Sequence, residues 1–280
     1  MKQWLKHIYL AVTGSKRLVV LDYPVELKPL YPATAPQPEL YQLISAGNDR
    51  YAQLLQQCLT HAPVFTSLAY SSNQPTIEPV WHNDFVPGLD LVLQYTLLGE
   101  LKPKRYVEIG SGTTTKIAAL AKKNLGLTYT ITCIDPHPRK EITNVADEWM
   151  NHPLQEAPIH IFETLEPGDV LFFDGSHLLH PNSDVQRFFL DILPKLKKGV
   201  IVQVHDIYLP YDYPQNMCDR FYAEQYILAT ALLSHPQGYE LIAPAFYMSE
   251  QKELNNILQP LWQQLPGVET HGGSFWFRIR

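Results

Sequence analysis

The chain has 280 residues, of which 45% are hydrophobic and 18% charged. This composition is typical of a folded globular protein and excludes a disordered or collagen-like chain. Twenty-two basic and 28 acidic residues give a net charge of −6, and the basic residues form no concentrated patch. We therefore expect no nucleic-acid partner. No apolar run reaches the roughly 18–20 residues of a membrane span, so none is expected.

The cysteines and the N-terminus indicate a reducing compartment. Cys58, Cys133 and Cys218 lie far apart in the sequence and form no CxxC pair, so neither a zinc knuckle nor a disulfide framework is predicted. The apolar stretch near the N-terminus is interrupted by Lys6 and His7, which disfavours a signal peptide. We expect a cytoplasmic protein.

Residues 1–80 are expected to form an appendage to a main domain at residues 81–280. Five prolines between residues 24 and 38 favour an extended segment, because proline excludes an ordinary helix there. From Leu40 to Leu59, apolar residues recur at helical spacing and predict one amphipathic helix. Its apolar stripe must be buried, so the appendage is interpreted as a lid or a dimer surface.

From Leu91 onward, short apolar segments alternate with helical patterns. This alternation predicts an α/β fold whose sheet is buried on both faces by helices. Strands are predicted at 105–109, 129–134, 159–162, 170–173 and 200–204, with a closing pair at 239–243 and 274–279. Helices are predicted at 114–124, around Val185 to Leu193, and at 216–234.

A glycine-containing loop lies between the first predicted strand and its helix. Gly110, Ser111 and Gly112 allow the backbone to pass close to a ligand, while the helix that follows presents free N–H groups. A nucleotide-like ligand is therefore expected. The dinucleotide fingerprint GxGxxG needs a third glycine where this chain has Thr115, and Glu108 precedes the glycines. Both features disfavour a nicotinamide or flavin dinucleotide.

Asp135 ends the second predicted strand, where a carboxylate can accept hydrogen bonds from the two hydroxyls of a ribose. The alternative is an ordinary turn residue, which the following Pro136 makes equally credible.

The segments VEIGSGT and ITCIDPHPR resemble the first two motifs of class I S-adenosylmethionine-dependent methyltransferases. Further segments, among them LEPGDVLFFDGSH and GGSFWFR, are similar to a bacterial small-molecule or glycan-type subgroup. The resemblance implies a Rossmann-like, seven-stranded, mostly parallel sheet of order 3-2-1-4-5-7-6 with an antiparallel seventh strand. It also implies that S-adenosylmethionine is bound by Glu108, Gly110, Ser111, Gly112 and Asp135, with Glu108 supporting the loop and Asp135 binding the ribose.

A second set of polar residues follows the fourth and fifth strands of this sheet: Asp174, His177, His205 and Asp206. Carboxyl ends of neighbouring strands meet at one crevice, so these side chains are expected to converge there. Carboxylate and imidazole donors suit Mg²⁺, Mn²⁺, Fe²⁺ or Zn²⁺, with Asp174, His205 and Asp206 as candidate ligands. The layout is similar to metal-dependent catechol-type O-methyltransferases, although His205-Asp206 replaces their Asp-Asn pair.

His177 stands where those enzymes carry a basic catalytic residue, and an imidazole can accept a hydroxyl proton near neutral pH. Such catalysis typically contributes ~10² to 10⁴ in rate. The alternative is that both histidines only hydrogen-bond the loops and that Asp174 caps a turn. Weaker candidates for the acceptor site lie in three segments, at Trp81–Asn83, Tyr208–Pro214 and Glu224–Tyr226.

The sequence thus predicts O-methylation of a small-molecule or glycan hydroxyl, with a divalent metal as an optional aid. A non-catalytic S-adenosylmethionine-binding protein is the first alternative. A nicotinamide-dependent oxidoreductase is the second, although it should show the third glycine and a catalytic Tyr-Lys pair. The identity of the acceptor stays open, and a homodimer is one option for the oligomeric state.

Overall fold

A computed structural model describes residues 21–138 and 142–280, together with Tyr9, Val12 and Thr13. The remainder of the N-terminal 20 residues, including the stretch considered for a signal peptide, lies outside the described residues. Within the described part of the chain, no helix is long and apolar enough to cross a membrane.

Seven strands form one sheet in the order β3-β2-β1-β4-β5-β7-β6. The first five strands pair in parallel, whereas β7 runs antiparallel to both of its neighbours. This topology confirms the predicted fold class. The strands are β1 (Arg105–Ile109), β2 (Thr130–Ile134), β3 (Glu148–Met150), β4 (Val170–Phe173), β5 (Ile201–Val204), β6 (Tyr239–Pro244) and β7 (Phe275–Ile279).

Helices surround this sheet. Ahead of β1 lie α1 (Pro38–Ser45), α2 (Asn48–Thr60), α3 (Ala62–Ser67) and α4 (Gly88–Leu101). Between β1 and β5 lie α5 (Thr113–Asn124), α6 (His160–Glu163) and α7 (Asp184–Arg187), the last continued by a π-helical segment, Phe188–Ile192, and a 3₁₀ turn, Leu193–Lys195. After β5 lie α8 (Gln215–Cys218), α9 (Glu224–Ser234), α10 (Ala245–Glu250), α11 (Lys252–Asn255) and α12 (Gln259–Trp262). Short 3₁₀ turns complete the set at Ile142–Asn144, Leu154–Glu156, Pro236–Gly238 and Asn256–Leu258.

The central strands place their carboxyl ends at one edge of the sheet. Every residue of β4 and β5 is buried, as expected for a parallel sheet covered on both faces. In the strand register, Ile109 is the partner of both Ile134 and Phe173, and Phe173 is also the partner of Val204. The loops that follow β1, β2, β4 and β5 therefore open side by side.

The predicted strand at 159–162 is wrong, since these residues form helix α6. An apolar run of four residues carries too little periodicity to distinguish a strand from a helix. Pro158 favours a helical turn at this point, and the Ile161 N–H donates to its carbonyl at 3.2 Å. The third strand is instead β3, a short and partly exposed edge strand without an apolar run.

Two predicted long helices are each divided in two. The helix predicted over Leu40 to Leu59 is interrupted at Gly47, whose N–H donates to Ile44 at 3.1 Å, so it becomes α1 and α2. The helix predicted at 216–234 becomes α8 and α9, because Phe221 adopts a positive φ of 59°. Helix α3 and the start of α4 lie in the segment 62–90, for which no helix or strand was predicted.

The described part of the appendage packs into the same core as the sheet. Tyr51 and Cys58 of α2 are fully buried and face α4 and the C-terminal helices. The extended segment before α1 contacts the loop after β5: the Asp212 N–H donates to the Tyr31 carbonyl at 2.7 Å, and the Asp212 carboxylate accepts from the Leu30 N–H at 2.6 Å. The division at residue 80 stays a prediction.

Candidate active site

A cavity of about 830 Å³ opens at the carboxyl edge of the sheet, within the usual size range of ligand pockets, roughly 300–1,000 Å³. The loops after β1 and β2 line it on one side, and the loops after β4 and β5 line it on the other. Seven of the predicted site residues face this cavity: Gly110, Ser111, Asp135, Asp174, His177, His205 and Asp206. The structure thus brings the two predicted halves of the site together.

Gly110 makes the turn that starts the glycine loop. Its φ is +87°, and a Cβ atom placed there would lie 2.6 Å from the carbonyl oxygen of Asp174. Only glycine satisfies both constraints. This close approach fixes the glycine loop after β1 directly against the end of β4, beside the ionisable cluster.

Gly112 differs from Gly110, because a Cβ atom at Gly112 would meet no atom within 4 Å. Its N–H donates to the Thr115 hydroxyl at 3.1 Å, which caps the first turn of α5. Thr115, the residue that departs from the dinucleotide fingerprint, therefore has a local structural role here. Gly112 does not line the cavity, and its predicted contact with the cofactor stays a prediction.

Glu108 is fully buried beneath the glycine loop and does not line the cavity. One carboxyl oxygen accepts a hydrogen bond from the Thr114 hydroxyl. Burial raises the pKa of Glu108 to about 8, although hydrogen bonds from Thr114 and Thr115 act in the opposite direction. Glu108 is thus placed to hold strand β1 to helix α5 under the loop.

The Asp135 carboxylate faces the cavity and is held on both of its oxygens. Oδ1 accepts from the His137 N–H at 2.8 Å, and Oδ2 accepts from the Ser111 hydroxyl at 2.5 Å. The first contact is the turn interaction that the sequence left open. The second orients the carboxylate beside the glycine loop, where the ribose contact stays a prediction.

His177 lies between three carboxylates. Its Nδ1 is hydrogen-bonded to the fully buried Glu224, while its Nε2 lies 3.3 Å from Asp206 Oδ2 and 3.6 Å from Asp174 Oδ1. The Tyr222 ring stacks on the imidazole with a centroid distance of 4.4 Å. His177 and Asp206 both have positive φ, 62° and 53°, a strained conformation that often marks functional sites.

His205 forms a second buried imidazole beside the first. Its Nε2 lies 3.3 Å from Asp90 Oδ2, and its Nδ1 lies 3.5 Å from Asp206 Oδ1 and 4.0 Å from Asp174 Oδ1. Asp90 is buried in α4 and also accepts hydrogen bonds from the N–H groups of Gly273 and Ser274, at 2.7 and 3.0 Å. Asp90 therefore connects α4 both to His205 and to the residues that lead into β7.

The carboxylates keep both imidazoles protonated. Burial alone would lower the pKa of His177, but the hydrogen bond and the negative charge of Glu224 outweigh it and raise that pKa above the usual 6.5. The pKa of His205 is raised in the same way, against burial, by Asp90, Asp206 and Asp174. The two imidazoles thus face four carboxylates, those of Asp90, Asp174, Asp206 and Glu224.

The predicted metal site is not seen among the described residues. The candidate ligands Asp174, His205 and Asp206 are brought together at the cavity, with His205 Nδ1 4.0 Å from Asp174 Oδ1 and 3.5 Å from Asp206 Oδ1. Across residues 21–138 and 142–280, no group of three or more His, Cys, Asp or Glu side chains is arranged to hold a metal ion. Metal ligation by Asp174, His205 and Asp206 stays a prediction.

Sequence reasoning missed Asp90 and gave Glu224 little weight. Both are acidic residues in the first turn of a largely apolar helix, and an acidic residue beside a long apolar run is the signal that could have identified them. The tyrosine-rich run after β5 does not line the cavity. Tyr208 and Tyr213 pack with Cys218 and Tyr222 in a second apolar cluster, of which Tyr222 also lines the cavity.

The segment Trp81–Asn83 faces a separate cavity of about 210 Å³. The neighbouring Asp84 and Phe85 line both cavities.

Residues 107–207 match the model of a family described as "Methyltransferase domain". The match runs from β1 to just beyond β5 and includes the glycine loop, Asp135 and the ionisable cluster. It supports a methyltransferase as the class of protein. The comparison with curated proteins gave no significant match.

Several solved structures are similar in fold. An S-adenosylhomocysteine-bound methyltransferase of Podospora anserina has 12% identity and a TM-score of 0.41, with 100% of this chain and 97% of that chain covered. A candidate caffeoyl-CoA O-methyltransferase of Staphylococcus aureus has 16% identity and a TM-score of 0.39, with 56% and 79% covered. A branched-chain polyamine synthase of Thermus thermophilus has 15% identity and a TM-score of 0.43, with 78% and 63% covered. At these levels of similarity they carry no argument about function.

Replacing Gly110 by alanine should destabilise the protein, because the added methyl group meets the Asp174 carbonyl and the positive φ disfavours any side chain. We expect the free energy of unfolding to fall by about 1–3 kcal/mol, measured by denaturant unfolding. Gly112→Ala is the matched control, since its methyl group enters open space at an extended φ, and its unfolding free energy should change by less than about 1 kcal/mol. Equal destabilisation by both substitutions would contradict the assigned contact.

Replacing Glu108 by glutamine should remove a pH-dependent loss of stability. The folded protein keeps the carboxyl protonated up to about pH 8, whereas the unfolded chain ionises near the ordinary pKa of 4.5. The unfolded state therefore releases its proton first, and the free energy of unfolding falls between these pH values, by at most about 1.4 kcal/mol per pH unit. Denaturant unfolding at several pH values should show Glu108→Gln gaining stability relative to the unsubstituted protein as pH rises. A constant difference between the two proteins would contradict the burial argument.

Proposed function

We propose that this protein is an S-adenosylmethionine-dependent O-methyltransferase acting on a hydroxyl of a small molecule or glycan. One observation carries the proposal: a single cavity is lined by the Gly110–Ser111 loop and Asp135 on one side and by His177 on the other. A cofactor bound at the first side and a hydroxyl beside the second would share one space. The family match supports the same reaction class.

The residues of the first side fit the cofactor. Gly110 brings the backbone close to the cavity without a side chain, and Asp135 presents a carboxylate already oriented by Ser111. When bound, S-adenosylmethionine supplies the methyl group from its sulfonium and leaves as S-adenosylhomocysteine.

His177 is the proposed general base. As the acceptor oxygen gains the methyl group, its O–H bond breaks and the proton passes to Nε2 of His177, the nitrogen that is not hydrogen-bonded to Glu224. Glu224 is a positioning residue, because its hydrogen bond to Nδ1 fixes the ring orientation and stabilises the imidazolium that forms. Only the unprotonated fraction of His177 can act in this way, so activity should depend on pH.

Two other functions are less well supported. A nicotinamide-dependent oxidoreductase is disfavoured because Thr115 occupies the third glycine position and caps α5. A non-catalytic S-adenosylmethionine-binding protein would use the cluster only for stability. The proposed base role distinguishes this alternative, because it requires the loss of His177 to reduce turnover without reducing cofactor binding.

Replacing His177 by glutamine should lower the rate of methyl transfer by ~10²- to 10⁴-fold while the affinity for S-adenosylhomocysteine changes little. The measurement is transfer of a labelled methyl group to a panel of hydroxyl compounds, with cofactor affinity determined by calorimetry. His160→Gln is the control, since His160 is exposed on α6 and away from the cavity. Unchanged transfer by His177→Gln would remove the base role.

Glu224→Gln separates a positioning role from a merely structural one. In the unsubstituted protein, kcat/KM should rise with pH and level off well above pH 6.5, because Glu224 raises the pKa of His177. Glutamine keeps a hydrogen-bond acceptor but removes the charge, so the rise should move to lower pH. An unshifted pH profile with a uniformly lower rate would indicate that Glu224 only supports the fold.

A further inference from the structure

We propose that Arg220 binds an anionic group of the acceptor, so that the substrate class is a hydroxyl compound that also carries a carboxylate or a phosphate monoester. This inference rests on the proposed function, because it concerns the acceptor side of the same cavity. It adds a substrate class and a specificity-determining residue.

The charges that line the cavity motivate the proposal. Five aspartates face it, Asp84, Asp135, Asp174, Asp184 and Asp206, whereas Arg220 is the single Arg or Lys among the described lining residues. Each of these carboxylates already has a partner nearby. Asp184 accepts from Ser176 at 2.6 Å, and Asp84 lies 3.8 Å from His82, while the other three contact Ser111, His177 or His205 as described above.

The Arg220 guanidinium is held in place but not neutralised. Its central carbon lies 4.5 Å from the centroid of the Tyr222 ring, a cation–π contact that occupies one face of the guanidinium. Arg220 forms no ion pair with a described residue, and it is exposed. The N–H groups at its edge therefore stay free to bind an oxyanion, which a guanidinium can do with two parallel hydrogen bonds.

Arg220 lies on the acceptor side of the cavity. It follows β5 in the chain, whereas Asp135 follows β2, and strands β1 and β4 lie between them in the sheet. Tyr222 stacks on Arg220 and also on His177. The Tyr222 ring thus contacts both the guanidinium and the imidazole of the proposed base. An anionic group bound by Arg220 would bring a hydroxyl on the same small molecule towards His177.

Apolar side chains in the lining of the same cavity favour a compact ring as the body of the acceptor. Met217 lines the cavity one helical turn before Arg220, and Phe85 lines it with 62% of its surface exposed. A large exposed apolar side chain at a cavity commonly contacts a ligand. Suitable probes are therefore 3-hydroxybenzoate and 3-hydroxyphenyl phosphate, with the uncharged 3-hydroxybenzamide as their matched reference.

The test measures the dissociation constants of the three probes by calorimetry on protein saturated with S-adenosylhomocysteine. We expect at least one anionic probe to bind about tenfold more tightly than the amide, equivalent to about 1.4 kcal/mol. Arg220→Gln should abolish this preference without changing amide binding. Arg50→Gln is the control, because it removes the same charge from an exposed position on α2, outside the cavity lining, and it should keep the preference.

The outcomes separate this inference from the proposed function. Preference for the carboxylate or for the phosphate identifies which oxyanion the site takes. The inference is overturned if neither anion binds, if anions and amide bind equally, or if Arg220→Gln keeps the preference. It is also overturned if Arg220→Gln weakens S-adenosylhomocysteine instead of the probes, since Arg220 would then hold the cofactor. Failure of the unsubstituted protein to bind S-adenosylhomocysteine overturns the proposed function and this inference together.

Discussion

Two buried imidazoles share two carboxylates at the point where β4 and β5 end, and the arrangement of the site depends on this charge pairing. Either imidazolium alone would be costly to bury, and so would Asp174 and Asp206 as unpaired anions. Asp90 and Glu224 complete the pairing from helices α4 and α9. Because these helices lie far apart in the sequence, the cluster forms only when the whole fold is assembled.

The same pairing explains how the two sides of the cavity keep a fixed geometry. Gly110 packs on the carbonyl of Asp174, so the glycine loop is positioned by the strand that carries the cluster. Asp90 holds His205 and also the Gly273–Ser274 backbone, which leads into β7. A ligand held by the loop after β1 would therefore meet a rigid group of charges, and preorganised charges of this kind are what lower the barrier of a transfer reaction.

Much of the fold could be predicted from sequence because apolar strands of four or five residues alternate with helices, and this pattern is local. The glycine loop and the residues after β4 and β5 were also identifiable, since their positions at strand ends follow from the topology. The partners of the histidines were not, because Asp90 and Glu224 reach them through tertiary packing. Those partners raise the pKa of both imidazoles, an effect that the residues at the strand ends do not reveal by themselves.

The most direct test of the account is a crystal structure of the protein with S-adenosylhomocysteine. We predict the ligand in the 830 Å³ cavity, with its ribose hydroxyls on the Asp135 carboxylate, its homocysteine part along Gly110 and Ser111, and its sulfur towards His177. Ligand bound elsewhere, or in this cavity with the sulfur turned away from His177, would contradict it.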